Sequence, residues 1–370
     1  MTPPGPLGSG GEVVPEVGRI AVLRANALGD LIVALPALEA LRAAYPRAEV
    51  TLLAGDWHAE FLAGRPGPVD HCVPVPASQG VRVDRPPEPP AVVESFLERM
   101  RARRFDLAVQ LHGGGRHSNG FVRGLGARLA IGSRTPDAPP LDRWVPYTEH
   151  QVEVLRYLEV VGLAGAAPVA LEPRLAVTAA DRAEAARVLR EAGPGGSGPL
   201  VVLHPGATDP RRRWPAAKLA AVGAELAGEG ARLAVIGAGH ERDLAGQVLA
   251  ALGGRAADLC GRLSLGGLAG LLERCALLIG NDSGPAHLAG AVGTATVAVY
   301  WCVNLVSIGP LSRARHRALT SWRLRCPVCG ADCLRGRCPH DASLVAEVGV
   351  DEVLLQARDL LRSTPDPPGG

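Results

Sequence analysis

Aromatic residues are scarce in this chain, and their scarcity limits the classes of fold that it can adopt. Phe, Trp and Tyr make up 4% of the 370 residues, although 47% of the residues are hydrophobic. Ala and Gly dominate the composition, which favours helices packed closely against a sheet over an all-β protein. The length exceeds what one ordinary hydrophobic core supports, so we expect two domains.

The chain also lacks a strong charge of either sign. Its formal net charge of +2 is too small to attract nucleic acid by bulk electrostatics, so no nucleic-acid partner is expected. Any site that binds an anion must therefore come from a local arrangement of residues.

Long apolar runs and targeting segments are missing as well. No uninterrupted apolar stretch approaches the roughly 18 residues of a membrane-spanning helix. Residues 1–16 have neither the basic nor the apolar region of a signal peptide, and we expect them, like residues 363–370, to be disordered tails. These features predict a soluble, cytoplasmic protein, with peripheral contact at the inner face of the membrane as an alternative.

Strand and helix patterns alternate along both halves of the chain. Short apolar runs predict strands at residues 19–25, 49–55, 70–76, 105–113, 199–207, 231–239, 275–282 and 295–301. The pattern predicts helices after Asp30 and at residues 92–104, 150–163, 215–228, 240–252, 265–274 and 285–292. Such alternation is typical of parallel, doubly wound sheets, so the predicted class is α/β.

Two Rossmann-like domains are predicted on either side of a crossing near residues 164–177. The first domain is expected at residues 17–170 and the second at residues 171–362. Ligands in such folds bind beyond the carboxyl ends of the strands, so a cleft between the domains is the expected binding place. Residues 78–90 hold too much proline and charge for a helix or strand and are expected to be a loop.

The first candidate loop is "NALGD", residues 26–30, at the end of the first predicted strand. Asp30 could cap the following helix, because its carboxylate can accept hydrogen bonds from the first backbone N–H groups. Asp30 could equally take part in chemistry. Pro36 is expected to bend that helix or to delay its regular part, since an interior proline removes a hydrogen bond.

The second candidate loop is "HPGATDPRRRWP", residues 204–215. Pro215 suits the first position of a helix, which places Arg211, Arg212 and Arg213 just before a helix N-terminus. Guanidinium groups and free N–H groups together form a phosphate site. The alternative is a solvated basic loop.

Two further strand ends carry polar residues. "GAGHERD", residues 237–243, resembles a dinucleotide fingerprint but has Arg242 where the third glycine belongs. Glu241 there could accept hydrogen bonds from ribose hydroxyls or simply stabilise its helix. "GNDSGPAHLAG", residues 280–290, places Asp282 and His287 beside a turn that offers free N–H groups to an anion.

Taken in order, these stretches resemble glycosyltransferase family 9, the heptosyltransferase family. The resemblance lies in "R-x-x-x-L-G-D" at residues 24–30 with "L-P-A-L" and "Y-P" after it, "H-P-G-A … R-R-W-P", "G-A-G-H-E-R" and "N-D-S-G-P-A-H-L-A". It covers roughly residues 19–301. It implies a GT-B fold, with two Rossmann-like domains and a nucleotide-sugar donor held by the second.

The resemblance also implies an activity, an inverting transfer that needs no metal or other cofactor. A sugar, heptose or a related one, would pass from a nucleoside-diphosphate donor, with an ADP-sugar favoured, to a hydroxyl of a cell-envelope glycan or glycolipid. Asp30 matches the proposed general base, and Arg212 stands where the family usually has Lys. The implied donor-binding residues are Thr208, Arg211, Arg212, Arg213, Glu241, Asp282, Ser283, Gly284 and His287.

The residue types suit this chemistry. An ionised aspartate can take the proton of the acceptor hydroxyl as its oxygen attacks the anomeric carbon. Arginines and helix N-termini can stabilise the diphosphate leaving group without a metal. Two other functions stay open, a nucleotide-dependent oxidoreductase built on residues 237–243 and a non-catalytic nucleotide-sugar-binding protein.

Half of the eight cysteines lie in one short stretch, "CPVCGADCLRGRCPH", residues 326–340. Cys326, Cys329, Cys333 and Cys338, with His340 beside them, suggest a structural zinc, because four thiolates suit its tetrahedral geometry. Their spacing is not that of a common zinc finger, and free thiols or disulfides are the alternatives.

Overall fold

The computed structural model describes residues 11–193 and 197–363. The chain divides into two compact units between Pro173 and Arg174, within the crossing predicted at residues 164–177. Each unit has its own parallel sheet of six strands. The predicted α/β class with two doubly wound domains is therefore confirmed.

The elements of unit 1 alternate in chain order. They are β1 (Arg19–Leu23), α1 (Leu28–Ala44), β2 (Glu49–Ala54), α2 (Asp56–Leu62), β3 (His71–Pro74), α3 (Pro90–Ala102), β4 (Leu107–Gln110), α4 (Ser118–Gly124), β5 (Leu129–Arg134), β6 (Arg143–Pro146) and α5 (Glu153–Gly162).

The sheet of unit 1 has the strand order β3-β2-β1-β4-β5-β6. In the register, Ala21 of β1 lies opposite Thr51 of β2 on one side and Ala108 of β4 on the other. The strand order reverses between β1 and β4, so their carboxyl ends form a crevice where ligands bind in such sheets. β1 and β4 read as continuous apolar runs because both of their faces are covered by helices.

Unit 2 repeats the pattern. Its elements are α6 (Ala179–Ala192), β7 (Leu200–His204), α7 (Ala216–Gly228), β8 (Arg232–Val235), α8 (Arg242–Leu252), β9 (Ala256–Asp258), α9 (Leu265–Arg274), β10 (Leu277–Asn281), α10 (Gly284–Ala291), β11 (Ala295–Trp301), α11 (Cys302–Ile308), β12 (His316–Ser321) and α12 (Val350–Ser363).

The sheet of unit 2 has the order β12-β11-β10-β7-β8-β9, so its strand order reverses between β7 and β10. Val201 of β7 pairs with Leu277 of β10 and with Leu233 of β8. All three side chains belong to the hydrophobic core of the unit. The carboxyl ends of β7 and β10 therefore lie side by side on a packed core.

Local sequence signals explain where several helices begin and end. Thr178 caps α6, because its hydroxyl accepts a hydrogen bond from the Asp181 N–H while the Asp181 carboxylate accepts one from the Thr178 N–H. Gly193 ends the same helix in the left-handed conformation, with φ of 58°. α6 packs on α9, where the absence of a side chain at Gly270 makes room for the Asp181 carbonyl.

The sequence patterns missed several elements. The short strands β5, β6, β9 and β12 were not predicted, nor were the helices α2, α4, α6, α11 and α12. Strands of three to six residues give little alternation to detect. The expected loop at residues 78–90 is irregular up to Pro90, where α3 begins.

The predicted N-terminal tail needs a correction. The Gly11 N–H donates to the Gly162 carbonyl at 3.1 Å, and the Val14 N–H donates to the Tyr45 hydroxyl at 3.1 Å. Residues 11–16 therefore pack against unit 1 instead of forming a disordered tail. The rest of the predicted tails, residues 1–10 and 364–370, lies outside the described residues, apart from Ser363, which ends α12.

Candidate functional site

Asp30 lies in the first turn of α1, which begins at Leu28 and not after Asp30 as the sequence predicted. One carboxylate oxygen, Oδ2, accepts a hydrogen bond from the Ala27 N–H at 2.9 Å. The other, Oδ1, accepts one from Nη2 of Arg24 at 2.7 Å. Asp30 therefore caps the helix from inside its first turn, and its side chain is still 33% exposed. Pro36 lies inside α1 and does not end it.

Arg24 holds this carboxylate in place. Its guanidinium is buried and also donates to the Leu111 carbonyl at 3.0 Å, while Nη2 lies 3.4 Å from Oε2 of Glu153 on α5. Burial raises the pKa of the Glu153 carboxyl. Arg24 thus bridges two carboxylates, and its position fixes the direction in which Asp30 points.

The loop after β4 packs beside the loop after β1. Nδ1 of His112 accepts a hydrogen bond from the Ala25 N–H at 3.3 Å, and the Gln110 side chain donates to the Ser118 hydroxyl at 2.7 Å. Burial lowers the pKa of His112 to about 4. A neutral imidazole therefore lies at the same crevice as Asp30.

In unit 2, we define the arginine loop as residues 207–213, which follow β7. Its three arginines have different partners. Arg211 forms an ion pair with Asp209 at 2.7 Å, and Arg213 donates through Nε to the Ala207 carbonyl at 2.9 Å. Arg212 reaches away from its own loop to Oδ2 of Asp282 at 2.6 Å. Pro215 caps α7, one position before the place predicted for it.

Asp282 is the centre of this cluster. It is 1% exposed, and it pairs with Arg212 through one oxygen and with Nε2 of His287 through the other, at 3.2 Å. Ser283 and Gly284 follow it at the start of α10, where the first N–H groups of a helix have no acceptor in the preceding turn. The preceding Asn281 fastens the two strand ends together, since its side chain accepts from the Trp214 N–H and donates to the Pro205 carbonyl, both at 2.8 Å.

His204 joins two residues that the sequence analysis treated separately. Its Nδ1 lies 3.1 Å from the Ser283 hydroxyl, and its Nε2 lies 3.4 Å from Oε2 of Glu241. That oxygen also accepts from the Ala238 N–H at 2.8 Å. Burial alone would raise the pKa of Glu241, but the hydrogen bond and charge of His204 lower it to about 2. A side chain at Gly206 would overlap the Glu241 carboxylate, so a larger residue there would displace Glu241 from His204.

The cysteine-rich stretch brings four metal-binding atoms together. The sulfurs of Cys326, Cys329 and Cys338 and a ring nitrogen of His340 all lie within 4.8 Å of one another. Cys333, predicted as a ligand, is not in this group, and His340 takes the fourth place.

The four-donor cluster, as we call Cys326, Cys329, Cys338 and His340, fits a metal ion. Nδ1 of His340 is buried with no hydrogen-bond partner among the described atoms. The backbone N–H groups of Cys329 and Val328 lower the pKa of the Cys326 thiol to about 6. Three sulfurs and one imidazole form a ligand set that tetrahedral zinc accepts.

A family model described as glycosyltransferase family 9 (heptosyltransferase) matches residues 93–329. The chain belongs to this family. Lipopolysaccharide heptosyltransferase 2 of Salmonella typhimurium is 25% identical over 304 residues, which cover 76% of this chain and 82% of that protein.

Solved structures of this class have the same fold. The glycosyl transferase family 9 protein of Veillonella parvula superimposes with a TM-score of 0.78 at 21% identity, over 96% of this chain and 100% of that one. The E. coli ADP-heptose lps heptosyltransferase II superimposes with a TM-score of 0.70 at 21% identity, over 94% and 99%. These likenesses confirm the predicted GT-B fold.

The protein is thus a glycosyltransferase, and this membership does not favour the oxidoreductase or the non-catalytic alternative. Most of the residues expected to bind the sugar donor follow the adjoining strands β7 and β10. Arg212, Asp282 and His287 form one ion-paired cluster, and Glu241 is linked to it through His204 and Ser283. Thr208 is exposed on the arginine loop, whereas Arg211 is held by Asp209.

Five supporting residues were not among the site residues predicted from the sequence. They are Arg24, Glu153, His204, Asp209 and Asn281. His204 and Asn281 carried a signal, since each is a polar residue that ends a buried strand. Glu153 carried none, because its partner Arg24 is 129 positions away.

The described part of this family-9 chain contains no helix that combines the length and the apolarity needed to cross a bilayer.

Proposed function

We propose that the protein transfers a heptose or a related sugar from an ADP-sugar to a hydroxyl of a cell-envelope glycolipid, as in lipopolysaccharide assembly. The observation that carries the proposal is the cluster of Arg212, Asp282 and His287 between the strand ends of β7 and β10. It is supported by the names of its relatives, a lipopolysaccharide heptosyltransferase and an ADP-heptose heptosyltransferase. Unit 1 would take the acceptor and unit 2 the donor.

Unit 2 offers the groups that a nucleoside diphosphate requires. The guanidinium of Arg212, 20% exposed, and the backbone N–H groups of Ser283 and Gly284 would bind the diphosphate and stabilise the charge that grows on it as it leaves. Glu241, whose side chain is 11% exposed, would accept a hydrogen bond from a ribose hydroxyl. Thr208, Arg211 and Arg213 would border the same site. No metal is needed for this stabilisation.

Unit 1 offers the base. Asp30 would take the proton of the acceptor hydroxyl while that oxygen bonds to the anomeric carbon and the bond from that carbon to the diphosphate breaks. Attack from the face opposite the leaving group inverts the anomeric configuration. Arg24 and the Ala27 N–H hold the carboxylate during this step. The nucleoside diphosphate is the leaving group.

The four-donor cluster has a separate role in this proposal. Cys326, Cys329, Cys338 and His340 would hold one structural zinc ion, which would organise the loop between β12 and α12 and take no part in the transfer. A site at the inner face of the membrane would bring the enzyme to a glycolipid acceptor.

A donor panel tests the proposal. Purified protein with a lipopolysaccharide-core acceptor is given ADP-heptose, other ADP-sugars, GDP-sugars or UDP-sugars, and the released nucleoside diphosphate is measured. ADP release that requires the acceptor is expected, with inverted stereochemistry in the product. Release of GDP or UDP in place of ADP, or no turnover with any donor while ADP-heptose still binds, would contradict the proposal.

A further inference from the structure

The segment of residues 337–344, which includes two donors of the four-donor cluster, runs along the arginine loop and contacts it at every second residue. Arg337 forms an ion pair with Asp209 at 3.2 Å. The Leu344 N–H donates to the Arg211 carbonyl at 2.7 Å, and the Ser343 hydroxyl donates to the Arg213 carbonyl at 2.7 Å. Two of these three contacts use the backbone of the loop, so they fix its path and not only its side chains.

The contact continues into α7. Nζ of Lys218 donates to the Ala346 and Val348 carbonyls at 2.7 and 2.9 Å, and the indole N–H of Trp214 donates to the Val348 carbonyl at 3.1 Å. Trp214 is 2% exposed and belongs to the core of unit 2. The C-terminal edge of the loop is therefore anchored in the core, whereas Arg337 contacts the loop at Asp209, nearer its N-terminal end.

Asp209 is where these interactions meet. It accepts hydrogen bonds from the backbone N–H of Arg211 at 3.0 Å and from its guanidinium at 2.7 Å, in addition to the ion pair with Arg337. Nη1 of Arg211 is buried with no hydrogen-bond partner among the described atoms. Arg211 is thus turned inward, and the turn that it forms presents Arg212 toward Asp282.

Arg337 lies in the chain between donors of the four-donor cluster. Between β12, which ends at Ser321, and α12, which begins at Val350, the described chain has no helix or strand of its own. Cys338 and His340 immediately follow Arg337, and both belong to the cluster. A metal ion on these residues would order the segment, because metal binding and local folding are coupled.

We propose that the four-donor cluster positions the arginine loop, so that zinc in the cluster raises the affinity of the enzyme for the nucleoside diphosphate of its donor. The proposal rests on the proposed function for the identity of the ligand. Its structural half, which states that zinc orders residues 207–213, does not depend on the proposed function. Arg337 and Asp209 are the positioning residues that connect the two places.

The first experiment measures backbone hydrogen exchange in the full chain, stripped of metal and then given zinc alone. Zinc should slow exchange at the amides of residues 207–213 as well as in the cysteine-rich segment. Exchange in unit 1 should not change. Protection confined to residues 326–340 would overturn the proposal, because the ordering would then stop before the loop.

The second experiment measures ADP binding by calorimetry. Zinc-loaded protein should bind ADP about tenfold more tightly than stripped protein, the scale expected for loss of a charged hydrogen bond. Cys329→Ser should behave as stripped protein, and Cys72→Ser, a cysteine of unit 1 outside the cluster, should behave as wild type. Equal ADP affinity with and without zinc would overturn the proposal.

Arg337→Ala separates positioning from folding, because it keeps all four metal donors. It should retain one zinc per chain and show a raised KM for the donor with kcat little changed, and Arg337→Lys should restore part of the affinity. If Arg337→Ala binds ADP as wild type does, the proposed connection is wrong. Zinc-dependent protection of the loop without any ADP binding would instead contradict the proposed function and leave the structural half standing.

Discussion

Asp30 caps α1 and is also the proposed general base. One substitution, Asp30→Asn, separates these two roles. Asp30→Asn keeps an oxygen for a backbone N–H but removes the charge and the basicity. We expect kcat to fall about 100-fold or more, the scale of general-base catalysis, while ADP affinity and Tm stay close to wild type. Steady-state kinetics, calorimetry and thermal unfolding give the three values.

The matched control is Asp106→Asn, which alters an acid of unit 1 that accepts from the Gly18 and Arg19 N–H groups away from the strand-end crevice. Its kcat should match wild type. An Asp30→Asn enzyme with a normal rate and a lowered Tm would mean that Asp30 serves only as a helix cap.

Arg212 is the arginine of its loop that pairs with Asp282, and its substitution should affect the donor. Arg212→Ala should weaken ADP binding at least about tenfold, since hydrogen bonds to charged groups contribute about 1.5–3 kcal/mol. Arg212→Lys should recover only part of this affinity, because it restores the charge but not the planar fork. Arg187→Ala, which removes an exposed arginine of α6, is the control. Equal ADP affinity in all three variants would place the donor elsewhere.

Among the elements, the contact of α6 with α9 depends on the absence of a side chain at Gly270. A methyl group at Gly270 would overlap the carbonyl of Asp181, so Gly270→Ala should lower the free energy of unfolding by about 1–3 kcal/mol. Gly246 in the middle of α8 has open space around the same position. Gly246→Ala should therefore raise the free energy of unfolding by about 0.5–1 kcal/mol. Denaturant titration measures both, and equal effects of the two substitutions would refute the packing explanation.

At the scale of the whole molecule, two buried histidines make unit 1 sensitive to acid. Burial lowers the pKa of His58 to about 3 and that of His112 to about 4, from 6.5. The unfolded chain therefore binds protons between pH 6.5 and 4 that the folded chain does not bind. As the pH is lowered through that range, the free energy of unfolding should fall by about 1.4 kcal/mol per pH unit for each of the two histidines.

His58→Asn tests this acid sensitivity, because its side-chain oxygen can still accept from the Gly55 N–H that Nδ1 of His58 binds. The variant should be less stable at pH 7, since it leaves a small cavity, but the slope of its stability between pH 6.5 and 4 should be reduced. His71→Asn, in which an exposed histidine is replaced, should keep the wild-type slope. An unchanged slope in His58→Asn would show that His58 is protonated in the folded state.

The amino-acid sequence by itself determined the class of fold, the eight strands that it predicted and the loops that follow them. These features depend on local patterns. Buried parallel strands read as apolar runs, and proline, glycine or an acid marks the start of a helix. Asp30, Arg212, Glu241 and Asp282 were selected because they follow such strands.

Only the tertiary structure decided which side chains meet. Arg212 and Asp282 are 70 positions apart, and the bridge from Arg24 to Glu153 spans 129. His340 takes the place predicted for Cys333 in the group of four donors. Local patterns cannot predict such pairs, since a pair forms through the packing of elements that lie far apart along the chain.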